Sequence, residues 1–239
     1  MPSLRAPERS WMPTFRPDGF LNVLKPPAMT SHDVVAMVRR RTGLKVGHSG
    51  TLDPAAAGVL VLCLGAATRL AGYVVGLPKS YRGEITFGVA TSTGDAEGIV
   101  SQRAMAPDLR AEDVAAALKS MTGTIPMTPP AFSAVHVDGR RAYEAAREGE
   151  TPELQARAVT LYSLRSVRLE HEPTPRLLID VTCSAGTYIR VLAEMIGDRL
   201  GCHATLTALV RTRVGHFVIE DAVAPDRIET GDLDGLVVP

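Results

Sequence analysis

Residues 47–65 read GHSGTLDPAAAGVLVLCLG, a glycine-punctuated loop that runs straight into an apolar segment. Asp53 precedes a proline, which pushes it into an extended conformation and out of any helix. Gly50 and Gly58 on either side permit tight turns and close backbone approach. Such a loop presents one carboxylate in a fixed direction. On spacing alone, an Asx-type turn joining two strands is the plainer explanation, and His48 is then an ordinary surface or core histidine. The run Val59–Gly65 is a buried strand or a short buried helix, which periodicity cannot separate.

Working outward, GFLNVLK (19–25) reads as a strand stopped by Pro26 and Pro27. Thr30 or Ser31 can cap a helix running to about Arg41, with Val34, Val35 and Val38 inward and Gly43 ending it. SYRGEITFGV (80–89) alternates like a strand, and TGDAEG (93–98) is a turn cluster. The spacing predicts a helix over 108–123, with Asp108 as its cap and Leu109, Val114, Ala117, Leu118 and Met121 apolar. TIPMTPPAFSA (124–134) holds three prolines and reads as an extended loop. A short charged helix is expected over 140–148. VTLYSLRSVRLE and RLLIDVTCS read as strands broken at Pro173 and Pro175. Residues 187–201 form a helix with a stripe of Ile189, Leu192, Ala193, Ile196 and Leu200, and TLTALVRTRVGHF is a final strand pair. Strands and helices mix without regular βαβ alternation, so an α+β fold is expected, a central mixed sheet flanked by helices.

Two further features carry chemistry. Arg190 falls in the first turn of its helix, where a cation opposes the macrodipole at a cost of roughly a few tenths of a kcal/mol. An arginine there suggests a carboxylate or phosphate partner, although a solvated arginine bears that cost too. Tyr81 lies between Lys79 and Arg82, and an aromatic among cations can serve as a base-stacking platform; a cross-strand tyrosine at a sheet edge is the plainer alternative.

Composition narrows the class. The 239 residues, 45% of them hydrophobic, suffice for one sizeable core. Three scattered cysteines, Cys63, Cys183 and Cys202, form neither a disulfide framework nor a zinc motif and read as small core residues. No apolar run is long enough to span a membrane, and the charged, proline-containing start is not a signal peptide; a cytoplasmic protein is expected. No P-loop, dinucleotide fingerprint or metal cluster appears, so neither cofactor nor metal is expected. Net charge is zero, but residues 220–239 hold six acidic side chains and one basic, leaving 25 basic against 20 acidic in the rest. That mild positive excess is compatible with RNA contact.

Taken together, NVLKPPAMTSHDVV, GHSGTLDPAAAGVLVLCLG, the K-x-Y-R at 79–82, PPAFSAVHVDGRRAYEAAREG, CSAGTYIRVLAEMIGDRLGC and LVRTRVGHF resemble the TruB family of pseudouridine synthases. The matching stretches run from about Gly19 to Phe217. The resemblance implies the pseudouridine synthase fold, with a cleft that takes an RNA loop. It implies isomerisation of a uridine in the T-loop of tRNA, at tRNA position 55, by base flipping, with help to tRNA folding besides. Asp53 is then the catalytic carboxylate. His48 packs within the T-loop in the space the flipped base leaves, Tyr81 stacks on the flipped uracil, Tyr188 and Leu209 line its pocket, and Arg190 pairs with Asp53.

The chain departs from the family pattern in two places. Ala28 stands where a glycine is common; if that glycine needs positive φ, the turn here must differ. His136 stands where lysine is common, which weakens one phosphate contact or makes it pH-dependent. By the same resemblance, residues 1–18 are an N-terminal extension, 19–219 the catalytic domain, and 220–239 a short acidic tail too small for the PUA domain that many relatives carry. The expected partner is the tRNA T-stem-loop, bound by a monomer without guide RNA. Two rivals remain. One is the guide-dependent relative of box H/ACA particles, which needs a PUA domain. The other is an RNA chaperone that refolds tRNA without chemistry.

Overall fold

A computed structural model describes residues 18–105, 108–133, 136–137, 140–142, 148, 154–231, 233 and 235–238. Strand β1 (Gly19–Lys25) leads into α1 (Ser31–Thr42). Thr30 caps α1 in a reciprocal box with Asp33, and Gly43 in the left-handed region ends it. Next come β2 (Val46–His48), β3 (Ala57–Leu64), a 3-10 turn (Gly65–Leu70) and α2 (Ala71–Gly76). The apolar run after the Asp53 loop is thus a strand. Seven of its eight residues are buried, because the sheet is covered on both sides there.

β4 (Lys79–Phe87) is followed by a small hairpin, β5 (Val89–Thr91) and β6 (Val100–Arg103). Helix α3 (Ala111–Met121) starts later than its sequence suggests: Arg110, not Asp108, occupies the cap position. Leu109 is buried, so the chain dives into the core before the helix begins, and Glu112 and Asp113 supply the favourable first-turn charge. The first part of the proline-rich segment is not a loop but β7 (Gly123–Met127), paired with β10 (Arg157–Glu170) at the sheet edge, where Pro126 is tolerated. Arg140 and Arg141 likewise form a strand, β9, against β8 (His136–Val137). Most of the charged helix expected over 140–148 lies outside the described residues.

The remaining elements are β10 (Arg157–Glu170), β11 (Arg176–Cys183), α4 (Ile189–Arg199), β12 (Ala204–Val214), β13 (Phe217–Val218), α5 (Pro225–Thr230) and β14 (Val237–Val238). The main sheet runs β14-β1-β3-β12-β4-β11-β10-β7. Its pairings are antiparallel except β3 with β12, a short parallel contact at Ala57–Val210 and Gly58–Arg211. That one parallel seam places the start of β3, and the loop before it, beside the middle of β12.

The largest core lies between α3, α4 and one face of β4, β10, β11 and β12, and takes Leu52 from the Asp53 loop. A second packs α1 and α5 on β1 and β3. Ile228 and Leu233 belong to it, Val223 bridges to Val23, and β14 pairs with β1. The described part of the acidic C-terminal segment is thus woven into the fold, not appended to it. Cys63 and Cys183 are buried and Cys202 packs against the main core; all three are free.

Candidate active site

Three buried side chains from distant parts of the chain, Ser31, Lys25 and Arg211, shape the loop between β2 and β3. Ser31, released from capping because Thr30 does that work, accepts the Leu52 amide at 2.9 Å and donates back to its carbonyl at 3.1 Å. Lys25, fully buried at the end of β1, donates to Pro26 O, Met29 O and Pro54 O at 2.9, 2.6 and 3.1 Å. Burial lowers its pKa, opposed by the negative charge of Asp53. The Ala28 amide also reaches Pro54 O at 3.0 Å, and Ala28 itself has φ 66. The turn therefore keeps the positive φ in spite of its alanine, contrary to the expectation of a different turn. Arg211, from β12, donates to Val59 O at 2.7 Å, Gly50 O at 3.0 Å and Thr51 O at 3.4 Å.

Asp53 emerges from this frame with its side chain 41% exposed. Arg190 meets it from the first turn of α4, Nε to Oδ2 3.0 Å, with the guanidinium almost buried. The same Nε lies 3.6 Å from Asp95, and the two terminal nitrogens donate to Thr93 O at 2.9 Å and Phe132 O at 3.0 Å. The arginine at the helix start thus has the anions its position calls for. Asp95, unremarked in the sequence beyond its turn cluster, is the second of them. It is held by Thr93 Oγ1 and by the Glu97 amide.

Tyr81 faces the main core from β4 and is 9% exposed; burial pushes its hydroxyl pKa up, opposed by the Arg211 guanidinium nearby. The cations beside it in sequence do not join it as a platform. Arg82 points to the opposite face of the sheet and pairs with Asp180 at 2.8 Å, while Lys79 turns inward to cap the carbonyls of Val75 and Leu77. Alternation along a strand makes the first outcome unavoidable, since neighbours project to opposite faces. Leu209 sits half-buried opposite Gly83, two residues from Tyr81, its Cδ1 within van der Waals reach of the Cβ that a larger residue at Gly83 would carry. Tyr188 caps α4 and packs against the same core, its amide 3.3 Å from Met127 Sδ. His48 is half-buried and meets His32 edge-on, ring centroids 5.9 Å apart. Burial first, then the charges of His32 and Arg211, hold its pKa below the usual imidazole value. His136 lies in β8, and its side chain lies outside the described residues.

Lys25, Asp95 and Arg211 are the residues that sequence reasoning passed over. A signal existed for Lys25, a lysine closing an apolar strand that turns out to be buried on both faces. For Arg211 there was less, because β12 shifts register between Leu206 and Ala208 and again between Arg211 and Arg213, which breaks the alternation.

Among the described residues no cluster could hold a metal ion, and no helix is long and apolar enough to cross a membrane. The arrangement is a carboxylate paired to a buried arginine, beside an aromatic ring and apolar side chains. It offers one oriented, part-exposed carboxylate on a loop packed against the core that holds Tyr81.

Comparison with known proteins supplies the family. The fold matches a chain in the crystal structure of a Cbf5–Nop10–Gar1 complex, with TM-score 0.67, 30% identity and 87% of this chain covered. This chain spans about half the length of that one, 52%. Residues 37–189 match the model of the TruB family pseudouridylate synthase N-terminal domain. The tRNA pseudouridine synthase B of Pelotomaculum thermopropionicum is 48% identical over 92% of this chain and 71% of its own length. That of Symbiobacterium thermophilum is 51% identical over 90% and 72%. The chain belongs to the TruB family of pseudouridine synthases.

Proposed function

We propose that this protein converts one uridine in the T-loop of tRNA, position 55, to pseudouridine, with Asp53 as the catalytic carboxylate. The observation that carries the reading is the Asp53–Arg190 pair, 3.0 Å between nitrogen and oxygen, which holds a part-exposed carboxylate on a loop whose Leu52 packs in the same core as Tyr81. The reaction breaks the N1–C1′ bond, turns the base and joins C5 to C1′. C5 loses a proton and N1 gains one, so the product is an isomer and no co-reactant is consumed. A base inside a folded loop must first be flipped out. Stacking on Tyr81, with Tyr188 and Leu209 enclosing the ring, returns roughly 1–3 kcal/mol per aromatic contact. Asp53 acts in its ionised form on C1′, as nucleophile or by stabilising charge there. Arg190 holds that carboxylate in one orientation, and His48, kept neutral, fills the space the base vacates.

The relatives that match most of this chain are named for tRNA, which supports tRNA as substrate. The protein acts as a cytoplasmic monomer, on the T-stem-loop alone, without guide RNA, metal or cofactor. The test is incubation with an unmodified tRNA transcript and with an isolated T-stem-loop, followed by mapping of pseudouridine. Product at position 55 in both supports the reading. Activity only when a guide RNA is added, or only on another uridine, refutes it.

A further inference from the structure

We propose that Arg211 is a positioning residue that holds the Asp53 loop and the Tyr81 strand in one geometry. This rests on the reading of Asp53 and Tyr81 given above. Arg211 lies on β12, between β3 and β4 in the sheet. Its main chain pairs with Gly58 on one side and with Tyr81 on the other. Its guanidinium curls back over the loop and takes the carbonyls of Gly50 and Thr51 at 3.0 and 3.4 Å, and that of Val59 at 2.7 Å. The loop that carries Asp53 is therefore clamped at both ends by a single residue, its start by the side chain and its finish by the backbone. The finish leaves no slack. Gly58 has φ 110, and a Cβ there would lie 2.2 Å from Arg211 O.

The charge argues that this is more than packing. Arg211 is 2% exposed, yet among the described residues no carboxylate lies within ion-pairing distance of it. A buried cation without a counter-ion is expensive, and a hydrophobic side chain of similar volume would hold the seam at lower cost. What an aliphatic residue could not do is satisfy three carbonyls through a rigid planar fork while lying next to the Tyr81 hydroxyl. Lysine could not do it either: its point-like ammonium would choose among carbonyls that diverge. The fork thus couples two groups that the chemistry needs in register, the carboxylate aimed at C1′ and the ring against which the base lies. A misplacement of about 1 Å between them is enough to cost about 100-fold in rate.

The experiment compares Arg211→Lys and Arg211→Met with wild type on an unmodified T-stem-loop, reading single-turnover rate and stem-loop affinity separately, with thermal melting to score folding. Arg211→Lys keeps the charge and loses the fork. The expected result is a folded protein that binds the stem-loop as wild type does but turns it over about 100-fold more slowly. A cycle with Tyr81→Phe is expected to be non-additive, because both changes break the same linkage. Wild-type turnover by folded Arg211→Lys overturns the proposal, even if Arg211→Met fails to fold. So does strict additivity with Tyr81→Phe, or an affinity loss that accounts for the whole rate loss. Asp53→Asn runs alongside as the control. If it retains activity, the functional reading fails; if it is inactive while Arg211→Lys is normal, only the role of Arg211 fails.

Discussion

Two arginine–carboxylate clusters occupy opposite faces of the same sheet, and they differ in how far water reaches the cation and in what its remaining nitrogens bind. On the open face, Asp180 accepts from Arg82 at 2.8 Å and from Arg165 at 2.9 Å. On the covered face, Asp53 meets Arg190 at 3.0 Å. Contact lengths do not separate them. Burial of the cation does: Arg82 is 51% exposed and Arg190 only 7%, while the carboxylates run the other way, Asp180 at 20% and Asp53 at 41%. Water already satisfies the first cluster, so its ion pairs are worth about 0–1 kcal/mol each. In the second, every guanidinium nitrogen has a protein partner, and removal of one leaves a stranded charge or carbonyl. Good geometry alone does not mark a functional site; geometry imposed on groups that could not otherwise be there does.

The largest expected effect tests the covered cluster at its centre. Asp53→Asn keeps the side-chain shape and removes the charge, so pseudouridine formation on a tRNA transcript is expected to vanish while binding stays within a few-fold. Turnover at any substantial fraction of the wild-type rate would break the comparison, because the carboxylate would then be structural like Asp180. Asp95→Asn strips Arg190 of its second anion. We expect single-turnover rates to fall about 10-fold through misorientation of the guanidinium, with affinity retained; an unchanged rate would show that Asp53 alone orients Arg190.

Lys79 extends the argument to pH. Burial, helped by the charge of Arg211, brings its pKa down to about 8 from 10.5. Between those values the unfolded chain holds a proton that folded Lys79 has released, so this residue makes stability rise with pH through that window. Below about pH 8 both states are charged and the burial penalty is fully felt. Urea midpoints for wild type minus Lys79→Met, taken across the window, should show that rise; a flat difference would mean that the carbonyls of Val75 and Leu77 offset the burial. Ala28→Gly relieves a left-handed alanine and should stabilise the protein by up to about 1 kcal/mol in the same assay. A loss of stability would show that the turn tolerates φ 66 without strain. Smallest of all, Arg82→Ala on the open face should change stability by less than about 1 kcal/mol and leave turnover untouched. A rate loss there would erase the contrast between the two faces.

Much of this molecule was legible along the chain. The helix over Ser31–Thr42 declares its own ends, because a capping box and a left-handed glycine are local signals. Residues 189–199 do the same through their apolar stripe, and so does β4 through its alternation. The start of α3 misled, because burial of Leu109 outweighed the cap that Asp108 offers. The proline-rich segment misled as well, since Pro126 can join a ladder only at an edge, and strand order is invisible in sequence. Tyr81 could be singled out, but its company could not. Lys79 and Arg82 are neighbours in the chain and strangers in space.

The sequence by itself determined the local pieces and, through motif blocks shared with a family, the class of chemistry and the identity of Asp53, Tyr81 and Arg190 as residues to watch. Local dihedral preferences and short-range capping are properties of a few consecutive residues, so they can be read in order. Only the tertiary structure decided that Arg190 serves Asp53 and Asp95 together, that Arg211 closes the loop at both ends, and that the described acidic C-terminal residues pack on α1 and β1. Each of those depends on which strands become neighbours, above all the single parallel seam between β3 and β12. That seam is chosen by burial summed over the whole chain, and no short stretch of sequence carries it.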